Sequence, residues 1–168
     1  MQYNRQISRD YSTGYAHQMK SYTLRPATHE DIPRIRSLVI AGHINPTGLD
    51  WKRFIVAVDE GADAQVIGCG QIKPHGDGVL ELASIVVDPT WRGRDVARGI
   101  IEHLIASQEG TLYLMCRSSL RSLYEKFGFR PLAYNEMPKY FQRVSRLSSI
   151  IEILQKEGKT LLVMMLEA

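Results

Sequence analysis

The sequence predicts an α+β domain: a single mixed, mostly antiparallel sheet flanked by helices, in the order β-α-β-β-β-α-β-α-β-α-β. Three observations predict it. The apolar period switches repeatedly between helical spacing and short β-type runs. Residues 54–87 hold three β-rich segments separated by only two short turns, the mark of an antiparallel meander. The 168 residues fit one domain, and 44% of them are apolar, enough for a core without disulfide or metal staples.

Residues 1–18 are polar, with scattered Tyr and no sustained period, and are expected to form a flexible N-terminal arm. The domain is expected over 19–168, with Met19 a candidate initiator. Ser21–Pro26 reads as a strand. Thr28 is a candidate N-cap, and Asp31 completes a weaker form of the capping box. Ile32, Ile35, Leu38 and Val39 follow at helical spacing, until Gly42 and the Asn45-Pro46-Thr47-Gly48 run end that helix in a loop. The meander strands are Phe54–Val58, Gln65–Lys73 and Val79–Val87. After Pro89 the period changes, and Val96, Ile100, Ile101, Leu104 and Ile105 mark one face of a helix of about four turns. Thr111–Cys116 is a strand. Ser119 is placed to cap a short helix carrying Leu120, Leu123, Tyr124 and Phe127, stopped by Gly128. Phe129–Tyr134 returns as a strand. An amphipathic helix is expected from Pro138 to about Gln155, and Thr160–Leu166 closes the sheet.

Charge and composition narrow the function. The 21 Lys+Arg against 18 Asp+Glu give a net charge of +3, too weak to imply nucleic acid. Two Cys cannot form a disulfide framework, so a reducing, cytoplasmic location is expected, with Cys69 and Cys116 as inert core residues. No apolar stretch is long enough to span a membrane, and no signal-peptide pattern opens the chain. The five His show no metal-ligand spacing, so no metal is expected. Lys139, Arg143 and Arg146 share their helix with Glu152 and lie near Glu136 and Glu157, the pattern of a solvated face rather than of a docking surface for an acidic partner or membrane.

The segment Val86-Val87-Asp88-Pro89-Thr90-Trp91-Arg92-Gly93-Arg94-Asp95-Val96-Ala97-Arg98 carries the chemistry. A strand ends, the chain turns at Asp-Pro, and a basic, Gly-containing loop runs into a helix. A helix start offers unpaired N–H groups and a positive dipole end, a ready phosphate site. Arg92, Arg94 and Arg98 add cationic donors there. An ordinary strand-to-helix turn with solvated arginines has the same spacing, so both readings stand on these residues alone.

This segment resembles the acyl-CoA-binding motif of the GCN5-related N-acetyltransferase (GNAT) superfamily. Leu123-Tyr124-Glu125-Lys126-Phe127-Gly128-Phe129-Arg130-Pro131 resembles a second motif of that superfamily, and the likeness extends over about residues 21–166. The resemblance implies acetyl-CoA as co-substrate and acetyl transfer to a primary amine in a ternary complex. It implies that backbone groups of Ile85, Val86 and Val87 pair with the pantetheine arm where two strands splay apart. The loop amides of Arg92, Gly93, Arg94, Asp95, Val96, Ala97 and Arg98 would then wrap the pyrophosphate. Tyr124 falls where many members place the acid that protonates the leaving thiolate, a role suited to a phenol that keeps its proton at neutral pH. As a residue of an amphipathic helix it equally fits a core-edge aromatic. Glu81 falls where several members place a base for the amine, acting directly or through water. An exposed strand-end carboxylate without a role would look the same. Simple alternation puts Glu81 on the side of Ala83, Ile85 and Val87, opposite Leu82, Ser84 and Val86.

Four positions depart from the pattern. Asp95 stands where Gly is usual and brings a side chain and a negative charge beside a phosphate site. Arg117 replaces a common Asn and Leu120 a common Ala. Leu112 stands where ribosomal-protein acetyltransferases place a catalytic Glu, which argues against that branch. Asp95 and Arg117 also motivate a rival class, a non-catalytic acyl-CoA-binding or regulatory module. In the superfamily the acceptor pocket is shaped by two connections, here about Gly42–Asp50 and Asn135–Lys159. The second is long and helical, which implies a covered pocket and a small-molecule amine. Dimerisation through the C-terminal strand is left open by the sequence.

Overall fold

The computed structural model describes residues 21–61, 64–146 and 161–167. The expected N-terminal arm and the end of the last helix lie outside the described residues. Strands β1 (Tyr22–Pro26), β2 (Phe54–Asp59), β3 (Val66–Pro74), β4 (Leu80–Val87), β5 (Leu112–Arg117), β6 (Arg130–Pro131) and β7 (Leu161–Leu166) form one seven-stranded sheet in the order β1-β2-β3-β4-β5-β7-β6. Every pairing is antiparallel except β4 with β5. A parallel neighbour needs a crossover, and α2 (Val96–Ala106) supplies it. Helices α1 (Ile32–Ala41), α3 (Arg121–Glu125) and α4, described over 139–146, complete the fold. The mixed, mostly antiparallel α+β sheet predicted above is the architecture observed.

The sheet separates two cores. On one face Ile100, Ile101 and Leu104 of α2 pack on Ile67, Ile72, Leu82 and Val87, and Tyr124 and Phe129 join the same cluster. On the other, Ile35, Leu38 and Val39 of α1 cover Val56, Cys69 and Val86, while Phe141 of α4 covers Val79 and Val163. The entry to α1 is tied to β1. The Asp31 carboxylate accepts the Thr28 N–H at 2.7 Å and both Arg25 guanidinium prongs at 2.7 and 3.0 Å. The Arg25 bonds, chiefly, hold that carboxyl below the usual range.

The strand alternation expected for Glu81 fails at a bulge. Cys69 faces Val86 but Gln71 faces Ala83, so Ser84 and Ile85 of β4 together stand opposite Gly70. Ser84 takes the left-handed conformation at φ +58. Beyond it, Ile85 and Val87 rejoin Leu82 on the α2 face, and Val86 turns to α1. Glu81 therefore lies on the face opposite Ile85 and Val87. Three element boundaries also move. Strand β6 is two residues, not Phe129–Tyr134, because the Glu136 carboxylate takes the Ala133 N–H at 2.7 Å and starts a 3-10 turn at Tyr134–Glu136. Ser119 sits inside the 3-10 turn Ser118–Leu120 instead of capping α3. Helix α2 has 11 residues, about three turns rather than four.

Gly70 leaves the room that the bulge uses. A Cβ there would sit 2.5 Å from Ile85 Cδ1 and 2.8 Å from Ile100 Cγ2. Gly70→Ala is expected to lower stability by about 1–3 kcal/mol, read by urea unfolding, since Ile85 and α2 must both shift. An unchanged midpoint would show that the α2 interface is looser than its packing indicates.

Candidate active site

Strands β4 and β5 pair at two positions only, Leu80 with Leu112 and Glu81 with Tyr113. Past them the strands part. Strand β3 holds the far edge of β4 at Val86 and Val87, and β7 holds the far edge of β5 from Leu112 to Arg117. Backbone groups of Ile85–Val87 thus face an open gap, which can take an extended chain in strand fashion.

The loop at the mouth of this gap is braced from two sides. The Asp88 carboxylate accepts the Thr90 hydroxyl at 2.7 Å, the Thr90 N–H at 2.9 Å and Arg34 of α1 at 2.7 Å. These bonds, the Thr90 hydroxyl's first, hold it below the ordinary carboxylate range. Arg34 also donates to the Val66 carbonyl at 2.9 Å, so α1 clamps the ends of two strands. From the far edge of the sheet, the Tyr22 hydroxyl donates to the Asp95 carbonyl at 3.1 Å. Between these braces Gly93 (φ +75) and Asp95 (φ +56) are both left-handed, and α2 begins at Val96. A Cβ at Gly93 would meet nothing, so glycine serves the dihedral there and not the space.

The loop's charges are partly engaged. Arg94 lies over the buried Trp91 ring at 5.1 Å. The Asp95 carboxylate is 81% exposed and stands 3.5 Å from the Arg98 guanidinium. Its position in the left-handed region is one that Asp tolerates better than most residues with a side chain. Arg92 and Arg117 are exposed.

The two candidate catalytic side chains lie on opposite faces of the sheet. Tyr124 is buried in the α2-side core, its ring edge-on to Phe129 at 6.1 Å. Burial and the neighbouring Cys116 thiol push its phenol above the usual range. Glu81 is on the α4 side and is only 15% exposed. Its Oε2 is 2.6 Å from Nε2 of His75, a residue that no sequence motif marks. The signal that could have found it is proximity: His75 and Glu81 flank one short turn between adjacent antiparallel strands. Tyr140 of α4 stacks on the His75 ring, centroids 3.7 Å apart. Gln71 is a second unmarked residue. Its Nε2 donates to Ser84 Oγ at 3.0 Å, while Oε1 is buried without a partner among the described residues.

Burial pushes the Cys69 thiol up to about 12 and the Cys116 thiol up to about 11, so neither supplies a thiolate nucleophile near neutral pH. Among the described residues no cluster of His, Cys, Asp and Glu has the makings of a metal site, and no helix is long and apolar enough to cross a membrane.

Residues 50–131 match the family described as an acetyltransferase (GNAT) domain. The chain carries a GNAT acetyltransferase domain. No curated protein sequence matches it. Among solved structures it is similar to Rv2747 from Mycobacterium tuberculosis in complex with CoA and NLQ, with 19% identity and a TM-score of 0.68 over 87% of this chain and 99% of that one. It is also similar to N-acetylglutamate synthase from Neisseria gonorrhoeae complexed with coenzyme A and N-acetyl-glutamate, with 16% identity and a TM-score of 0.68. That match covers 88% of this chain and 35% of the synthase. A GNAT-family acetyltransferase from Staphylococcus aureus Mu50 shares 10% identity at a TM-score of 0.65, over 88% of this chain and 99% of the other. At these identities the likeness establishes a shared fold.

For a GNAT domain, Asp95 is the residue whose replacement speaks most directly to the loop. Asp95→Gly removes a carboxylate beside Arg98 and a side chain from a left-handed position. Acetyl-CoA is expected to bind about two- to fivefold tighter, by calorimetric titration. Weaker binding would show that Asp95 organises the loop instead.

Proposed function

We propose that this protein is an acetyl-CoA-dependent N-acetyltransferase that acetylates a primary amine, of small-molecule size, by direct attack in a ternary complex. The observation that carries this reading is the parting of β4 from β5, with a polar base candidate on one face of the sheet and a phenol on the other. The pantetheine arm would extend along Ile85, Val86 and Val87. The amides from Arg92 through Arg98 would receive the pyrophosphate at the start of α2. The thioester then lies between the two faces.

In this mechanism Glu81 takes a proton from the ammonium, directly or through one water, and the freed amine attacks the thioester carbon. Backbone amides at the gap polarise the carbonyl as charge develops on its oxygen. The C–N bond forms, the C–S bond breaks, and the sulfur leaves with the electron pair. Tyr124 donates its hydrogen bond, and then its proton, to that sulfur; the nitrogen loses its second proton to solvent as the amide forms, and the Tyr124 phenolate takes a proton back from solvent. The phenol's pKa is raised further above that of a thiol, so complete transfer is uphill and the hydrogen bond provides the larger part of the stabilisation. The products are an acetamide and coenzyme A. A small acceptor is favoured by α4, which folds over the Glu81 side of the gap. The Neisseria synthase holds coenzyme A with N-acetyl-glutamate on the same fold, an acylated amine of this size class.

Tyr124→Phe is expected to lower kcat by about 100-fold while the acetyl-CoA Kd changes by less than about twofold. The sign of its pKa shift adds a second expectation. A phenol raised above its ordinary value of 10.0 keeps its proton throughout the range below pH 10, so Tyr124→Phe should lower the kcat–pH profile there without reshaping it. Unchanged turnover would remove Tyr124 from the mechanism. Acetyl-CoA binding without CoA release across a broad amine panel would favour a non-catalytic acyl-CoA-binding module.

A further inference from the structure

We infer that His75 is a positioning residue for Glu81, held in place by the acceptor-side helix α4; the inference rests on Glu81 acting as the base in the reading above. A carboxylate on a strand can rotate about its χ angles and face either the gap or solvent. Here one oxygen is fixed. Glu81 Oε2 lies 2.6 Å from His75 Nε2, with the two side chains only 15% and 7% exposed. A carboxylate accepts only, so Nε2 carries the proton and donates it. Oε1 is then left for the acceptor's ammonium or a bridging water.

His75 is itself immobilised from three directions. Its backbone N–H donates to the Val79 carbonyl at 2.8 Å, which closes the turn. Tyr140 stacks on the imidazole at 21° between planes, and Phe141 meets it edge-on at 6.1 Å. The stack and the His75–Glu81 contact join the three side chains in one cluster, where burial first and then the Glu81 charge push the Tyr140 phenol up. Tyr140 and Phe141 belong to α4, within the long connection before β7. The wall on the acceptor side and the base are therefore one packed unit, in which α4 fixes His75 and His75 fixes Glu81. A hydrogen bond made only to close the turn between β3 and β4 would need neither the stacked Tyr140 nor a carboxylate at position 81.

The test has two readouts. The first is independent of turnover. Imidazole nitrogen NMR of the purified protein should show His75 as a single Nε2–H tautomer, averaged between tautomers in Glu81→Leu, which has no acceptor, and in Tyr140→Ala. Absence of a fixed tautomer in the wild-type protein overturns the inference and leaves the proposed function untouched. The second is steady-state CoA release from acetyl-CoA with the best acceptor among the free amino acids and polyamines. His75→Ala should lower kcat by about 100-fold with the acetyl-CoA Kd within about twofold, as misplacement of a reacting group does. His75→Gln keeps a side-chain N–H donor and should recover activity to within about tenfold of wild type. In a Glu81→Gln background, His75→Ala should cost nothing further, because a residue acting through Glu81 has nothing left to position. Full activity in His75→Ala, or losses that multiply independently in the double variant, overturns the inference. A wild-type protein that turns over none of these amines contradicts the proposed function and removes the role of His75 with it.

Discussion

Two neighbouring strands that run parallel and stop pairing after two residues are the constraint on which the site depends. Strand β4 cannot follow β5 because each is held from its other side, by β3 and by β7. The bulge at Ser84 increases the local twist of β4 just past its last pair with β5. A gap in the middle of a sheet ordinarily costs unpaired backbone groups. Here those groups face the open side at Ile85–Val87, where an extended ligand can pair with them.

The rest of the structure holds that gap in shape. Arg34 of α1 reaches across to Asp88 and Val66, and Tyr22 of the edge strand reaches the Asp95 carbonyl. Both contacts fix the loop between β4 and α2 from elements distant in sequence. Two left-handed residues, Gly93 and Asp95, then turn the loop into the start of α2. On the opposite face, α4 and the turn before β4 hold Glu81 through His75. In the proposed function the cofactor side and the acceptor side are thus built by different elements, which meet where Glu81 pairs with Tyr113.

Most of the architecture was legible because it follows from local periodicity. The meander, the crossover helix and the Gly128 stop each leave a pattern in a short window. The features that were not legible are those in which one element depends on another. Alternation from Leu82 predicts the wrong face for Ile85 and Val87, since the extra residue at Ser84 is accommodated by Gly70 on the neighbouring strand. The Asp95 carboxylate looks like a threat to anion binding in sequence, yet it is exposed and beside Arg98. The loop arginines and Tyr124 stand out through their motifs. His75, Gln71 and Arg34 do not, because each acts through a partner on a different element or across a turn, and no spacing rule marks such pairs.

Whether the parted strands and the loop beyond them receive acetyl-CoA is read by hydrogen exchange with and without acetyl-CoA. Peptides spanning Ile85–Val87 and Arg92–Arg98 should become strongly protected, while those from β1 and β2 stay unchanged. Saturating acetyl-CoA that leaves both segments exchanging as before, or protects residues elsewhere instead, would contradict the account.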